Sequence, residues 1–353
     1  MTTTPIPDPF VVAICYQSHW WTEPGAFDEA VAQLESITTP DGGRVEVVLA
    51  PYEEDHERRS ARGADPSPDW AASQPEIDPQ TLETFGRMHA ALALDLPAGV
   101  VDLAPELQIV QAFGAGSDQF LSCDFDKAGV KLVSSAGSNA IGIAEFCMGR
   151  ILEFYKRFEP TRDLQRQKLW KPQFGSEVAG KTVGLLGFGN ICAAIAPRAR
   201  AFDMRVLACR QSAKPGDTDP ALDGVYPAAD LHEMLGESDV VIAAVPRTPE
   251  TDGLMDAAAF AAMKEGAFFI NVGRGTLVVE PDLVAALESG HLSGAALDVA
   301  SSEPPADDNP IWDAPRLSMS FHNAAVPAAM FGNVHRIFED NVRSFVNATS
   351  MEG

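Results

Sequence analysis

Over the first third of the chain, short apolar runs of strand length alternate with polar or amphipathic stretches. FVVAIC (10–15), VEVVLA (45–50), ALALDL (91–96), LQIVQAF (107–113) and VKLVS (130–134) read as strands, and GAFDEAVAQLES (25–36) reads as a helix. This alternation predicts a small α/β unit. One stretch breaks it: EEDHERRSARGADPSPDWAASQPEID (53–78) is charged, proline-rich and aperiodic, and reads as a surface excursion, a tolerated insertion. From Ser138 the spacing turns helical. SNAIGIAEFCMGRILEFYKRF (138–158) opens on a Ser or Asn N-cap and carries apolar residues on most faces, so it is expected to be well buried, a partner subunit being one candidate cover. Six apolar runs follow: VGLLGF (183–188), RVLACR (205–210), DVVIAAV (239–245), AFFINV (267–272), GAALDV (294–299) and LSMSF (317–321). Most are nearly continuous in hydrophobicity, as strands covered on both faces must be, and helical segments such as PDLVAALESG lie between several of them. The pattern predicts a doubly wound parallel sheet. The stretch 325–348 is helical with no strand to serve, and is expected to return to the first unit.

Length and composition narrow this picture. A chain of 353 residues is expected to form two domains, at roughly 100–200 residues each. A net charge of −24 with no local Lys/Arg cluster argues against nucleic acid as a partner. The five cysteines (Cys15, Cys123, Cys147, Cys192, Cys209) are scattered, mostly in apolar runs, and read as buried free thiols of a reducing compartment. No spacing suggests a metal site. The N-terminus MTTTPIPDPF lacks the features of a signal peptide, and no uncharged apolar run reaches about 18 residues. A cytoplasmic protein without membrane contact is expected.

The stretch VGLLGFGNICAAIAPRARAFDMRVLACRQSAKP (183–215) starts as a dinucleotide-binding fingerprint. Gly187 and Gly189 follow a strand and precede a helix, where backbone N–H groups approach a pyrophosphate. Cys192 replaces the third glycine. That position packs helix against strand, so Cys192 is expected to strain the motif by ~1–3 kcal/mol unless the helix shifts. Pro197 is expected to kink the helix. Arg210 stands 21 residues after Gly189, where an acidic ribose acceptor is usual, with Ser212 and Lys214 beyond it. A guanidinium there binds a 2′-phosphate, so NADP(H) is the expected cofactor and NAD(H) the second option. The plain alternative is an arginine on a solvated turn.

INVGRGTLVVEPDLVAAL (270–287), GAALDVASSEPP (294–305) and SMSFHNAAV (318–326), with the glycine loop, resemble the D-isomer-specific 2-hydroxyacid dehydrogenases, glyoxylate/hydroxypyruvate reductase-like members included. FGAGSDQF (113–120), NAIGIAEF (139–146), SDVVIAAVPRTPETDGLM (238–255) and MKEGAFFINVGRG (263–275) extend the resemblance over essentially the whole chain outside 53–78. It implies a Rossmann-type cofactor domain over 138–322 and a flavodoxin-like α/β substrate domain formed by 1–137 and 323–353, with the cleft between them. A homodimer is also implied. The implied catalytic residues are Arg274, Glu303 and His322. Arg274 would hold the carboxylate and carbonyl of a 2-keto acid, His322 would exchange the hydroxyl proton, and Glu303 would orient the imidazole and raise its pKa. Singly, each has a plain structural reading; jointly, all three fall at or beyond the C-terminal ends of expected strands.

The resemblance further assigns cofactor contacts to Gly187, Gly189, Asn190, Ile191, Arg210, Ser212, Val245, Pro246, Thr251, Val272 and Asp298, and substrate-carboxylate contacts to the backbone at Ala115 and Gly116. Asp298 has a loop or capping role as its alternative. Tyr16, Trp20 and Trp21 either touch the substrate or pack in a core or subunit contact. Two departures stand out: HNAA follows in place of the usual small residues after the histidine, and Val279 stands where the family often has Asp. Formate dehydrogenases have Gln in place of Glu303, and phosphite dehydrogenases have Lys in place of Ala115, so both activities are disfavoured. The rival from another class is a cofactor-sensing scaffold resembling the C-terminal binding protein corepressors; the absence of a long tail after the last helix argues against it. The individual keto acid is not legible.

Overall fold

The computed structural model describes residues 6–18, 21, 23–64 and 69–351, so Trp20 lies outside the described residues. The chain forms two compact units, one of residues 1–138 with 327–353 and the other of residues 139–326.

The first unit has five strands: β1 (Phe10–Ile14), β2 (Val45–Leu49), β3 (Ala90–Ala93), β4 (Ile109–Ala112) and β5 (Lys131–Ser134). Its helices, in chain order, are α1 (Ala26–Glu35), α2 (His56–Ala64), α3 (Pro79–Phe85), α4 (Val100–Leu103) and α5 (Phe125–Ala128). The strands pair in parallel in the order β2-β1-β3-β4-β5, the flavodoxin-like doubly wound arrangement. β1, β3 and β4 are buried at every position, which explains why their sequences run apolar without alternation.

The stretch 53–78 is not the aperiodic surface excursion that its composition suggests. It contains α2 and a 3₁₀ turn, Trp70–Ser73, and part of it is core. Arg62 is 0% and Glu54 2% exposed, with Arg62 Nη1 donating to Glu54 Oε1 at 3.0 Å and to the Leu96 carbonyl at 2.8 Å. Arg59 grips the buried Asp95 through two bonds of 2.6 Å. Charge density is high here because the charges neutralise one another inside the unit. α2 packs on the 3₁₀ turn Asp118–Cys123, which directly follows the FGAGSD turn.

The second unit holds α6 (Ala140–Tyr155), α7 (Phe158–Arg166), β6 (Thr182–Leu186), α8 (Asn190–Ala201), β7 (Arg205–Arg210), β8 (Gly224–Pro227), α9 (Leu231–Glu237) and β9 (Val240–Ala243). It continues with α10 (Ala257–Ala262), β10 (Ala267–Asn271), α11 (Glu280–Glu288), β11 (Leu292–Leu297) and β12 (Leu317–Met319). All seven strands are parallel, in the order β12-β11-β10-β9-β6-β7-β8. The order reverses at β6, which places a ligand crevice beyond the strand ends on either side of it. β8 has no counterpart among the expected runs, because GVYP is short and only half-buried. Apolar clusters cover both faces of this sheet.

α6 buries one stripe, Ala140, Ala144, Cys147, Met148, Ile151 and Tyr155, whereas Ile141 is 59% exposed. Within this chain one face of α6 is buried, and Ile143, Phe146, Leu152 and Phe154 are partly buried against the same cluster. Asn139 occupies its N-cap but makes no side-chain capping bond. The last helix, α12 (Pro327–Met351), belongs to the first unit, where Val334, Phe338, Val342 and Val346 are fully buried. Gln111 of β4 ties it down, donating to the Val334 carbonyl at 3.1 Å and accepting from Asn341 at 2.8 Å.

Candidate active site

Most of the nucleotide-binding candidates line the C-terminal ends of β6, β7 and β9 or the loops that follow, while Val272 and Asp298 follow β10 and β11. Gly187 has φ +90°, and a Cβ there would sit 2.8 Å from Val245 Cγ1, so both backbone hand and space demand glycine. Its N–H donates to the Cys209 carbonyl at 2.8 Å, which seats the glycine turn beside Arg210, the last residue of β7. Gly189 differs: nothing lies within 4 Å of a Cβ built there. No packing in this chain excludes a side chain at Gly189, and the open space before α8 is the cradle that a Cβ would intrude upon. The first helical bond runs from Ala193 N–H to the Gly189 carbonyl at 2.9 Å, leaving the N–H groups of Asn190 and Ile191 ahead of the ladder. Open space and unladdered donors at a helix N-terminus fit a dinucleotide pyrophosphate.

Cys192 is wholly buried in the core cluster that also holds Cys147 of α6. Burial pushes its thiol up to about 12, so it is inert packing. α8 runs over Asn190–Ala201 with the exposed Pro197 inside it, so the residue does not end the helix. Arg210 Nη1 lies 3.7 Å from Asp219 Oδ2, and its buried Nε has no hydrogen-bond partner. Ser212 and Lys214 are exposed. Beyond β9, Thr251 Oγ1 donates to the Pro246 carbonyl and accepts from Thr248 N–H, both at 2.8 Å, fixing the turn that carries Val245 and Pro246.

The second half of the site follows β10, β11 and β12. After β10 come Val272, buried at 7%, and Arg274, whose turn is pinned by Asn271: Oδ1 accepts from Gly273 N–H and Nδ2 donates to the Arg274 carbonyl, both at 3.0 Å. A Cβ at Gly275 would fall 1.8 Å from the Ala300 carbonyl oxygen, so this glycine lets the arginine turn press against the loop that carries Glu303. Glu280, 7% exposed at the start of α11, anchors that loop, accepting from Ser301 N–H and Asn309 Nδ2 at 2.8 Å each.

His322 sits three residues beyond β12. Its Nδ1 lies 2.8 Å from Glu303 Oε2, and Nε2 has no hydrogen-bond partner among the described residues. Phe321 and His322 both adopt left-handed backbone, φ 53° and 60°, a cost of order 1–3 kcal/mol each that surrounding bonds must offset. Asp298 supplies them. Its carbonyl accepts from His322 N–H at 2.6 Å, and its Oδ1 accepts from Ser320 Oγ, Asn323 N–H and Ala324 N–H at 2.6, 2.9 and 3.1 Å. The carboxylate expected near the nicotinamide is thus engaged in shaping the histidine turn, and the HNAA residues serve as its donors. The hydrogen bond to Glu303 raises the His322 pKa above its ordinary value of 6.5; partial burial and the Arg274 charge pull it back.

In the first unit, the N–H groups of Ala115 and Gly116 make no hydrogen bond among the described residues, and Ala115 is exposed. They remain available donors at the end of β4. Tyr16 is 0% exposed; its hydroxyl hydrogen-bonds His335 of α12 and accepts from Trp21 Nε1 at 3.3 Å. Of the two readings for these aromatics, core packing is the one that this geometry supports. Asn271 and Glu280 were absent from the sequence candidates. Asn271 carried a faint signal, a polar residue ending an apolar strand before Gly-Arg-Gly; Glu280, on the first turn of a helix, reads as an ordinary macrodipole partner.

Comparison with known proteins agrees with this arrangement. The family model "D-isomer specific 2-hydroxyacid dehydrogenase, NAD binding domain" matches residues 148–324. A glyoxylate reductase of Thermofilum pendens is 32% identical over 268 residues, covering 73% of this chain and 77% of the relative. A glyoxylate/hydroxypyruvate reductase A of Salmonella dublin is 32% identical over 226 residues, covering 62% and 72%. Among solved structures, a D-isomer specific 2-hydroxyacid dehydrogenase family protein of Aeromonas salmonicida superposes with a TM-score of 0.72 at 26% identity over 95% of both chains. A D-isomer specific 2-hydroxyacid dehydrogenase of Xanthobacter autotrophicus, in complex with NADPH and MES, gives 0.71 at 25% identity over 96% and 95%. Sheet order, glycine turn and family match converge: the chain belongs to the D-isomer specific 2-hydroxyacid dehydrogenases and is an NAD(P)-dependent oxidoreductase of that family.

Proposed function

We propose that this enzyme interconverts a small 2-keto acid and its D-2-hydroxy acid, with His322 as the proton donor and acceptor. The observation that carries this reading is the 2.8 Å contact of His322 Nδ1 with Glu303 Oε2, beyond the same C-terminal ends of the parallel strands as the glycine turn. The nicotinamide cofactor, when bound, supplies or accepts the hydride. Glu303 favours the protonated imidazole and orients its ring, so that Nε2 delivers the proton to the carbonyl oxygen. Arg274 offers a fork of donors to the carboxylate and carbonyl, and the carboxylate donors proposed for the first unit are the Ala115 and Gly116 N–H groups. Asp298 acts through the His322 turn as a positioning residue. Residues 1–138 with 327–353 serve as the substrate domain, and 139–326 as the cofactor domain.

NADPH is the preferred cofactor in this reading. Arg210 occupies the ribose-acceptor position, and the NADPH complex of the Xanthobacter relative supports the assignment. Charge-assisted bonds worth about 1.5–3 kcal/mol correspond to roughly 10- to 100-fold preference. Glyoxylate and hydroxypyruvate, named in the relatives' activities, are the first substrates to test. No helix among the described residues is long and apolar enough to cross a membrane. From the five buried free thiols, which suit a reducing compartment, we infer a cytoplasmic enzyme. A panel of 2-keto acids assayed with NADPH and NADH tests the whole reading. Oxidation of neither cofactor by any acid overturns the reductase assignment, and equal or better kcat/KM with NADH overturns the preference.

A further inference from the structure

We propose that Asp219 is a second cofactor-specificity residue that opposes Arg210, holding the site in a dual poise between 2′-phosphorylated and unphosphorylated dinucleotides. The inference rests on Arg210 being the 2′-phosphate ligand, as proposed above. Asp219 Oδ2 lies 3.7 Å from Arg210 Nη1. That distance is too long for a hydrogen bond and short enough for an ionic contact. The carboxylate is not free to swing away. Its Oδ1 accepts from Ala221 N–H at 3.0 Å, and its own carbonyl accepts from Leu222 N–H at 3.0 Å, which closes the turn around it. The side chains of Arg210 and Asp219 are 28% and 23% exposed, so water screens the pair only in part.

Two consequences follow for a ligand that reaches Arg210. A 2′-phosphate, drawn to the guanidinium, meets a fixed carboxylate whose charge it must tolerate at close range. A ribose 2′-hydroxyl meets the opposite situation, because Asp219 offers the acidic acceptor that β7 lacks at its end. The other charges of the loop do not change this balance: Lys214 and Asp217 are both exposed, and Asp217 Oδ2 is engaged by Lys214 N–H at 3.0 Å. The Arg210 side chain is part-exposed, and among the described residues its guanidinium donates no hydrogen bond, the 3.7 Å contact with Asp219 being ionic only. Donors therefore remain for a phosphate. Arg210 draws the phosphate in, and Asp219 limits how much tighter it binds.

Asp219→Asn removes the charge while keeping an Oδ1 for the Ala221 N–H. Calorimetric titration of the intact protein with 2′,5′-ADP and with 5′-AMP reads the effect without catalysis. In the variant, 2′,5′-ADP is expected to bind about two- to fivefold tighter, the range of a partly screened ion pair, and 5′-AMP no tighter. The gain should shrink as salt rises from 0.02 to 0.5 M, which a merely loosened turn would not produce. Unchanged or weaker 2′,5′-ADP binding, or an equal change for both ligands, overturns the proposal. Arg210→Gln separates the two levels. Loss of the 2′,5′-ADP preference in that variant upholds the reading of Arg210 whatever Asp219 does. Its retention removes that reading, and the role of Asp219 falls with it.

Discussion

His322 is governed by influences of unequal weight: the Glu303 hydrogen bond lifts its pKa, burial lowers it, and the charges of Glu303 and Asp298 raise it against that of Arg274. The net rise keeps the ring protonated above its ordinary range, the form that the proposed reduction of a keto acid uses. Because the folded-state pKa is the higher one, the associated stability is fully present below the unfolded pKa and is lost as pH rises through the folded value. Glu303→Gln removes the ionic partner, so the falling limb of kcat/KM for reduction should move to lower pH. His322→Ala should cost about 10²–10⁴-fold in turnover with cofactor affinity retained. Near-normal pH profiles and rates in both variants would remove His322 from the chemistry. Arg62 poses a different problem of charge. With Glu54 buried beside it, Arg62→Ala leaves a carboxylate without its 3.0 Å partner, although Arg58 Nε remains 3.3 Å away. The loss of unfolding free energy should be near the low end for a broken buried pair, about 3 kcal/mol. Urea denaturation measures it. The double change Arg62→Met with Glu54→Leu should recover part of the loss, since the buried carboxylate is gone and Arg58, which loses its ionic partner, keeps its bonds to the Ser73 and Trp70 carbonyls.

At the scale of elements, α11 begins at Val279, which occupies the N-cap with φ −77° and makes no side-chain capping bond. This gives the departure from Asp at that position a physical meaning: the helix starts with its first N–H groups uncapped by a side chain. Val279→Asn should raise stability by about 1 kcal/mol, and a thermal shift of the intact protein checks it. No rise, with activity intact, would mean that the lost packing of Val279 cancels the cap. The parallel strands were legible because burial on both faces forces near-continuous apolar sequence, as FVVAI and AFFIN show. β8 was not, since an edge strand with half-buried residues carries no such run. α2 was hidden for another reason: its interior faces are satisfied by Arg62 and its partners, so burial left no apolar periodicity to read. The proposed trio Arg274, Glu303 and His322 was read through the family resemblance, with each member at or beyond the end of an expected strand. Asn271, Glu280 and the loop-shaping part of Asp298 depend on which backbone N–H groups the fold brings near them, and residue spacing does not encode that.

For the whole molecule, the segment between α7 and β6 carries Leu169, Trp170 and Phe174 at 53%, 101% and 88% exposure. Large apolar side chains this open mark a contact surface more often than a solvated one. With Phe158 of α7 also 53% exposed, we infer that a second copy of the chain covers them and that the enzyme is a homodimer. The charge of −24 on each copy works against that assembly. Burial of aromatic and aliphatic surface must therefore outweigh a repulsion that salt weakens, with a Debye length of about 30 Å at 0.01 M and about 10 Å at 0.1 M. Association should strengthen as ionic strength rises, opposite to an interface held by ion pairs. Light scattering at micromolar protein should report a dimer in 0.15 M salt, with a shift toward monomer near 0.01 M. Trp170→Ser combined with Phe174→Ser should yield monomer at both, because it removes apolar area and leaves the repulsion in place. A wild-type mass that stays monomeric at every salt concentration would remove the dimer. A dimer that weakens as salt is added would show that charge, and not this apolar segment, holds it together.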